Sequence, residues 1–120
     1  MGKICTISVY VNDLKEATSF YSGVLGLKVE KEFPYLVVLE NEGAKVILCQ
    51  AEDTSKIDYP NSSAVVLGFP TLDLTGSMQQ FRDRGVPLIH QSPQEFPGGH
   101  FVAFRDPSGN VLELLEFGGS

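Results

Sequence analysis

The sequence has 120 residues, of which 42% are hydrophobic and 20% charged, as in an ordinary small globular protein. The formal net charge of −6 argues against a nucleic-acid partner, which requires a basic surface. Every apolar run is shorter than the roughly 20 residues that span a membrane. The two cysteines, Cys5 and Cys49, lie in strand-like segments and predict buried thiols rather than a disulfide framework. We therefore expect a cytoplasmic protein with no membrane partner.

The first half of the chain predicts a strand, a helix and three further strands. Residues 4–11 alternate and are rich in β-branched side chains, which is typical of a strand. Asp13 and Glu16 form a pattern that begins helices, and apolar residues then recur at helical spacing as far as Gly26. The three further strands are predicted at residues 27–33, 35–40 and 45–51.

The second half repeats this order. Asp73 takes the place of Asp13 and begins a helix over residues 74–84. Residues 101–109 align without a gap on residues 35–43. Strands are predicted at residues 64–69, 86–91, 99–105 and 111–117, with a loop at 92–99. The sequence thus predicts two βαβββ modules that must pack to bury their apolar faces, residues 1–51 and 64–117, joined by the linker 52–63.

Two motifs resemble those of the vicinal oxygen chelate superfamily. The first is Val-Asn-Asp-Leu at 11–14, which leads into Phe-Tyr at 20–21 and Val-Leu-Gly-Leu at 24–27. The second is Phe-Arg-Asp-Pro-Ser-Gly-Asn-Val-Leu-Glu-Leu at 104–114. This superfamily includes glyoxalase I, extradiol dioxygenases, fosfomycin resistance enzymes and bleomycin resistance proteins. The resemblance implies one α+β domain over residues 1–120, in which two tandem modules form a cupped mixed-sheet pocket, and it implies a homodimer.

The resemblance also implies where a metal ion would be held. Metal-dependent members take ligands from the first and last strands of each module, at the positions of Thr6, Ile47, Val66 and Glu113 in this sequence. Transition metals in such sites need imidazole or carboxylate donors, usually three or more from the protein. Only Glu113 supplies one, so we predict no metal and no other cofactor. His90 and His100 are interpreted as solvated side chains.

Strand alternation from these positions predicts a mostly apolar, partly aromatic pocket, as is usual for a small-molecule site. Tyr35 and Phe101 occupy equivalent positions and either flank a flat ligand or pack together. Glu113 acts as a general base, holds a cationic ligand, or forms a structural pair with Lys45. The predicted pocket residues are Thr6, Ser8, Tyr10, Tyr35, Val37, Lys45, Ile47, Val66, Phe101, Ala103 and Glu113.

The sequence therefore favours a metal-independent small-molecule-binding protein, similar in type to the bleomycin resistance proteins, that binds an aromatic or amphipathic ligand in an apolar cleft. The alternative is an enzyme, either a glyoxalase-like lyase or a dioxygenase, which is metal-dependent or uses Glu113 as its base. A purely structural or regulatory protein is a third class, for which the sequence offers no specific feature.

Overall fold

The chain divides into two units, residues 1–56 and 57–120, and each unit is built on a four-stranded mixed sheet. The computed structural model describes residues 6–52 and 65–118. Ile4, Cys5, Ala64 and the predicted linker beyond residue 52 lie outside the described part. The α+β expectation with two repeated modules is confirmed, whereas the exact domain and module boundaries stay predictions.

The first unit has its strands in the order β1-β4-β3-β2. Strand β1 runs parallel to β4, and the other neighbouring strands are antiparallel. The helix α1 continues into a short π-helical turn before β2. The elements are β1 (Thr6–Val11), α1 (Leu14–Ser19), the π-helical turn (Phe20–Val24), β2 (Val29–Phe33), β3 (Leu36–Leu39) and β4 (Lys45–Gln50).

Helix α1 begins where the sequence predicts. The Oδ1 of Asp13 accepts a hydrogen bond of 3.0 Å from the backbone N–H of Glu16, which satisfies one of the amide donors that a helix start leaves without an intrahelical partner. One face of the sheet supplies the apolar core of this unit together with Ala17, Phe20 and Tyr21 of the helical segment. The buried strand residues are Val9, Val11, Val37, Leu39, Val46 and Leu48.

The second unit repeats the arrangement, with the strand order β5-β8-β7-β6. Asp73 caps the helix by accepting from the backbone N–H of Gly76 at 3.1 Å. Phe81 of the helix contacts Phe104 of the sheet edge-to-face, with ring centroids 4.9 Å apart. The elements are β5 (Leu67–Pro70), α2 (Leu74–Asp83), β6 (Gln94–Phe96), β7 (Gly99–Arg105) and β8 (Val111–Phe117).

The predicted strand at residues 86–91 is wrong. Of that segment only Leu88 forms a bridge, to Phe104. The ladder stops because the N–H of Ala103 donates to the Nδ1 of His90, at 3.1 Å, instead of to a backbone carbonyl. The strand that pairs with β7 at this edge of the sheet is β6, which lies further along the chain, within residues 92–99 that the sequence predicts as a loop.

The predicted placement of Val37 on the same sheet face as Ile47 is also wrong. Val37 pairs with Leu48, whereas Ile47 pairs with Val38, so Val37 lies on the helix side, where it is 3% exposed. The cause is the hairpin between β3 and β4. In the hairpin between β3 and β4, the connection between the last paired residues is residues 40–45. In the hairpin between β7 and β8, it is residues 106–110. The first hairpin is one residue longer, and a slip of one residue turns every side chain of a strand to the other face.

Tyr35 does not lie in a strand. The sequence predicts it as the first residue of β3, but it lies with Pro34 in the turn between β2 and β3, where its side chain is 78% exposed. Its predicted equivalence to Phe101 fails, because Phe101 lies inside β7 and is half-buried. In the part of the chain that the structure describes, no helix is long and apolar enough to cross a membrane.

Candidate functional site

Each sheet has a far face, which we define as the face away from the helix of the same unit. In the first unit the strand register places the predicted residues Thr6, Ser8 and Ile47 on this face. Ser8 is the register partner of Ile47, and Ile47 is in turn opposite Val38. The sequence-based set missed Val38 because of the longer hairpin. The rest of this face is apolar or aromatic at its centre, and its further members are Tyr10, Leu36, Lys45 and Cys49.

Lys45 has a partner within its own unit. Its ammonium group forms a salt bridge with the carboxylate of Glu30, and both side chains are partly exposed. Glu30 lies at an irregularity in β2, between the paired residues Val29 and Lys31. An extra residue at such a bulge redirects its side chain. The sequence suggested Glu113 as a partner of Lys45. The structure shows that the Lys45 ammonium pairs with Glu30.

The far face of the second unit carries Phe101, Ala103 and Glu113, as the sequence predicts. Glu113 on β8 is the register partner of Gly68 on one side and of Ala103 on the other. In the next row, Leu115 is opposite Phe101. The half-buried Glu113 thus lies between the two smallest residues of this face, beside an apolar and aromatic row. Val66 is half-buried and immediately precedes β5.

Four rings form a continuous series of edge-to-face contacts in the second unit. His90 contacts Phe101 with ring centroids 5.4 Å apart, Phe101 contacts Phe96 at 6.0 Å, and Phe96 contacts Phe117 at 5.8 Å. Phe117, at the end of the series, is 63% exposed. Edge-to-face pairs hold rings in defined orientations. The far face of this unit therefore offers an ordered aromatic surface next to a carboxylate.

His90 is the member of this group that sequence reasoning missed. The sequence suggested a solvated histidine, but the ring is half-buried and accepts the Ala103 N–H. One signal was available in the sequence: Pro87 lies inside the segment and Pro93 follows it, and proline cannot donate to a strand ladder. A strand at residues 86–91 was therefore a weak prediction.

The comparison with protein families decides the assignment. Residues 3–114 match the Glyoxalase/Bleomycin resistance protein/Dioxygenase superfamily. The chain belongs to this superfamily. The match covers nearly all of the chain, and it confirms the resemblance that the two sequence motifs indicate.

The chain is also similar, at low sequence identity, to one curated protein and to several solved structures. YetH, an uncharacterised protein of Bacillus subtilis, is 25% identical over 95% of this chain and 98% of its own. A lactoylglutathione lyase from Agrobacterium tumefaciens superposes with a TM-score of 0.71 and 24% identity, covering 97% of this chain and 94% of the other. TnmS3, an antibiotic-binding protein from Streptomyces sp. CB03234, has a TM-score of 0.71 and 23% identity, covering 98% of each chain.

The residues of this superfamily member do not fit a transition-metal site. Of the four positions that the resemblance implies, Thr6 supplies a neutral hydroxyl, Ile47 and Val66 supply no donor atom, and only Glu113 supplies a carboxylate. Within residues 6–52 and 65–118, no group of three or more His, Cys, Asp or Glu side chains is arranged to hold a metal ion. No chemical step through a metal can be derived from this donor set.

Proposed function

We propose that the protein binds an aromatic or amphipathic small molecule, without a metal ion, and acts by sequestering it. The observation that carries this proposal is the chemistry of the four implied ligand positions. Three of them hold Thr6, Ile47 and Val66, whose side chains supply neither imidazole nor carboxylate. A metal-dependent lyase or dioxygenase would need imidazole or carboxylate groups there.

The chemistry of the far face in the second unit supports an aromatic ligand. Small-molecule sites are mostly apolar and aromatic, with a few polar groups that fix orientation. Phe101 and Leu115 supply an apolar row, and the Glu113 carboxylate stands in the neighbouring row. A flat ligand on the Phe101 row would bring a positively charged or hydrogen-bond-donating substituent close to Glu113. The acidic balance of the chain, with a net charge of −6, agrees with a cationic ligand.

The neighbouring structures agree with binding as a function of this fold. TnmS3 is an antibiotic-binding protein with the same fold. A cytoplasmic location and a homodimer belong to this proposal. Cys49 is half-buried, not buried as the sequence predicts, and its thiol is free.

The second candidate is an enzyme of the same superfamily, because a lactoylglutathione lyase is among the proteins of the same fold. The specific observation that favours it is Glu113, a half-buried carboxylate between Gly68 and Ala103. A carboxylate in such surroundings can remove a proton from a bound substrate and act as a general base. Under this candidate, Glu113 removes the proton from the substrate, and the row of Phe101 and Leu115 binds the substrate.

Fluorescence titration tests the binding proposal. Berberine is a planar aromatic cation whose emission rises in apolar surroundings, and anilinonaphthalene sulfonate is an aromatic anion. We expect the untagged protein to bind berberine more tightly than the anion. Phe101→Ala should weaken that binding, whereas Leu72→Ala, at a fully exposed apolar position, should not. Binding of the anion alone would contradict the proposal.

Elemental mass spectrometry and one substitution separate the two candidates. After incubation with Ni, Zn, Mn or Fe(II), we expect less than about a tenth of an equivalent of any metal to remain bound, since one carboxylate cannot hold these ions. Near-stoichiometric metal would overturn the proposal and favour the lyase or dioxygenase. Glu113→Gln keeps the size of the side chain and removes its basicity, so binding of a neutral ligand should survive and general-base catalysis should not.

A further inference from the structure

In the short ladder between residues 87–89 and β7, the side chain of His90 takes the place of a backbone carbonyl as a hydrogen-bond acceptor. Leu88 and Phe104 pair across this ladder. Two backbone hydrogen bonds flank the pair, from Ile89 N–H to Ala103 C=O at 2.8 Å and from Arg105 N–H to Pro87 C=O at 3.1 Å. In a continued antiparallel ladder, Ile89 and Ala103 would exchange both of their bonds. The Ala103 N–H instead donates to the Nδ1 of His90.

This hydrogen bond depends on the protonation state of His90. An imidazole nitrogen accepts a hydrogen bond only when it carries no proton, so Nδ1 is unprotonated and the proton of the neutral ring lies on Nε2. Protonation of the ring would make Nδ1 a second donor facing the Ala103 N–H. The bond of 3.1 Å would then be lost.

The same ring touches the aromatic row of the far face. Its plane is perpendicular to the ring of Phe101, with centroids 5.4 Å apart. Ala103, which His90 holds through its N–H, is also the register partner of Glu113. His90 therefore fixes two features at once: the orientation of Phe101 and the path of β7 beside Glu113.

We infer that His90 is a positioning residue for ligand binding on the far face of the second unit, and that only its neutral form performs this role. The inference rests on the proposed function, because it assumes that a ligand binds against Phe101. Neutral His90 keeps the β7 backbone and the Phe101 ring in the binding geometry. Charged His90 releases Ala103 and weakens binding.

Charged groups lie on the elements that neighbour His90. On β8 this group is Glu113, opposite Ala103. On α2 it is Arg82, whose Nη2 donates to the carbonyl oxygen of Gln91 at 2.9 Å, one residue after His90. On β7 it is Arg105, whose Nη1 donates to the Gly109 carbonyl at 2.9 Å. Glu95 of β6 is opposite His100, the other histidine.

Nuclear magnetic resonance without any ligand tests the hydrogen bond itself. In the wild-type protein, the Ala103 amide resonance should shift with the same midpoint as the His90 ring as the pH falls from about 8 to 5, the range in which histidine changes its charge. His90→Asn offers an amide oxygen near the position of Nδ1 but does not titrate, so the Ala103 shift should vanish. His100→Asn is the matched control and should leave it. An Ala103 resonance that titrates equally in His90→Asn would overturn the inference.

Berberine binding tests the consequence for the ligand. Berberine is a permanent cation, so any pH dependence belongs to the protein. Wild-type affinity should fall as His90 becomes charged, and His90→Asn should keep the affinity of the neutral protein throughout. At every pH, His90→Leu should bind about three- to tenfold more weakly than the wild-type protein with neutral His90 does, as expected from the loss of one neutral hydrogen bond. If His90→Leu proves unfolded, the comparison of His90→Asn with the wild type still decides the question.

The two measurements keep the two ideas separate. If Ala103 follows His90 but berberine affinity is the same at every pH and in every His90 variant, the positioning role is overturned and the proposed function stands. If Ala103 follows His90 and no variant binds berberine, the proposed function fails and the ligand role of His90 fails with it. A matching pH dependence of both measurements, abolished by His90→Asn, supports the inference.

Discussion

The backbone N–H of Leu14 donates to the Oε1 of Gln50 at 3.1 Å, which ties the start of α1 to the end of β4. The second unit contains the same tie, from Leu74 N–H to the Oε2 of Glu116 at 3.1 Å. Each acceptor lies on the last strand of its unit, and each donor is the first residue of the helix. This hydrogen bond supplies an acceptor for a backbone N–H that has no partner within the helix. The duplicated module therefore keeps this tie although an amide in one unit has become a carboxylate in the other.

The two hydrogen bonds predict unequal losses of stability for matched substitutions. Gln50→Glu keeps an acceptor but loses the Nε2 donor, which bonds the carbonyl oxygens of Asn12 at 2.7 Å and Ala51 at 3.0 Å. We expect this change to lower the free energy of unfolding by about 1–2 kcal/mol. Glu116→Gln keeps the acceptor and removes only a charge near a helix N-terminus, so it should cost below about 1 kcal/mol. Urea unfolding monitored by circular dichroism measures both, and a larger loss for Glu116→Gln would contradict this account.

Local chemistry made much of the fold predictable. Asp13 and Asp73 begin both helices as the sequence indicates, because capping depends on residues within one turn. The bounds of β7 and β8 agree with the predicted strands at residues 99–105 and 111–117. The turn between them forms as predicted, with the Gly109 N–H donating to the Asp106 carbonyl at 3.0 Å.

The errors arose where non-local pairing decides the structure. The far-face residues Phe101, Ala103 and Glu113 followed from alternation within strands of correct register. Val37 did not, because the register of β3 is set by the length of its hairpin and not by its own residues. The hydrogen bond to His90 did not follow from local pattern, because its partner, Ala103, lies 13 residues away on another strand. The use of these residues as a ligand site stays a prediction.

The corrected register predicts different effects at two adjacent valines. Val37 is buried on the helix side, 3% exposed, whereas Val38 is half-buried on the far face. Val37→Ala should therefore lower the free energy of unfolding by about 2–3 kcal/mol, because it leaves a cavity in the core. Val38→Ala should cost about 1 kcal/mol or less. Urea unfolding of the two variants provides the measurement, and a larger loss at Val38 would restore the register that the gapless repeat alignment predicts.

Gly99 is a position where a side chain cannot be accommodated. Its φ is +150°, and a Cβ atom there would lie 2.1 Å from the backbone carbonyl oxygen of Glu116 on the paired strand. We expect Gly99→Ala to separate β7 from β8 locally and to cost about 3 kcal/mol or more. Gly43→Ala is the matched control, with φ +84° but nothing within 4 Å of the added atom, so it should cost about 1 kcal/mol. Thermal unfolding compares them, and equal losses would show that the clash with Glu116 is relieved.

The turn at Asp106 tests whether the second family motif is structural. Asp106 is 3% exposed, and its Oδ1 accepts from the backbone N–H groups of Ser108 at 2.9 Å and Asn110 at 2.8 Å. Its Oδ2 accepts from the Nδ2 of Asn110 at 3.0 Å. Asp106→Ala leaves these donors without their acceptor and should lower the free energy of unfolding by about 2–4 kcal/mol.

A double substitution tests the side-chain bond alone. Asp106→Asn keeps one acceptor for the two backbone donors but places an amide nitrogen opposite the amide of Asn110, so two donors face each other. Adding Asn110→Asp turns the partner into an acceptor and should recover about 1 kcal/mol or more of the loss. The four proteins form a double-mutant cycle in urea unfolding, in which the coupling between the two sites should be favourable. Additive losses would mean that the Oδ2–Nδ2 contact contributes nothing, and that the motif acts through the backbone donors of the turn alone.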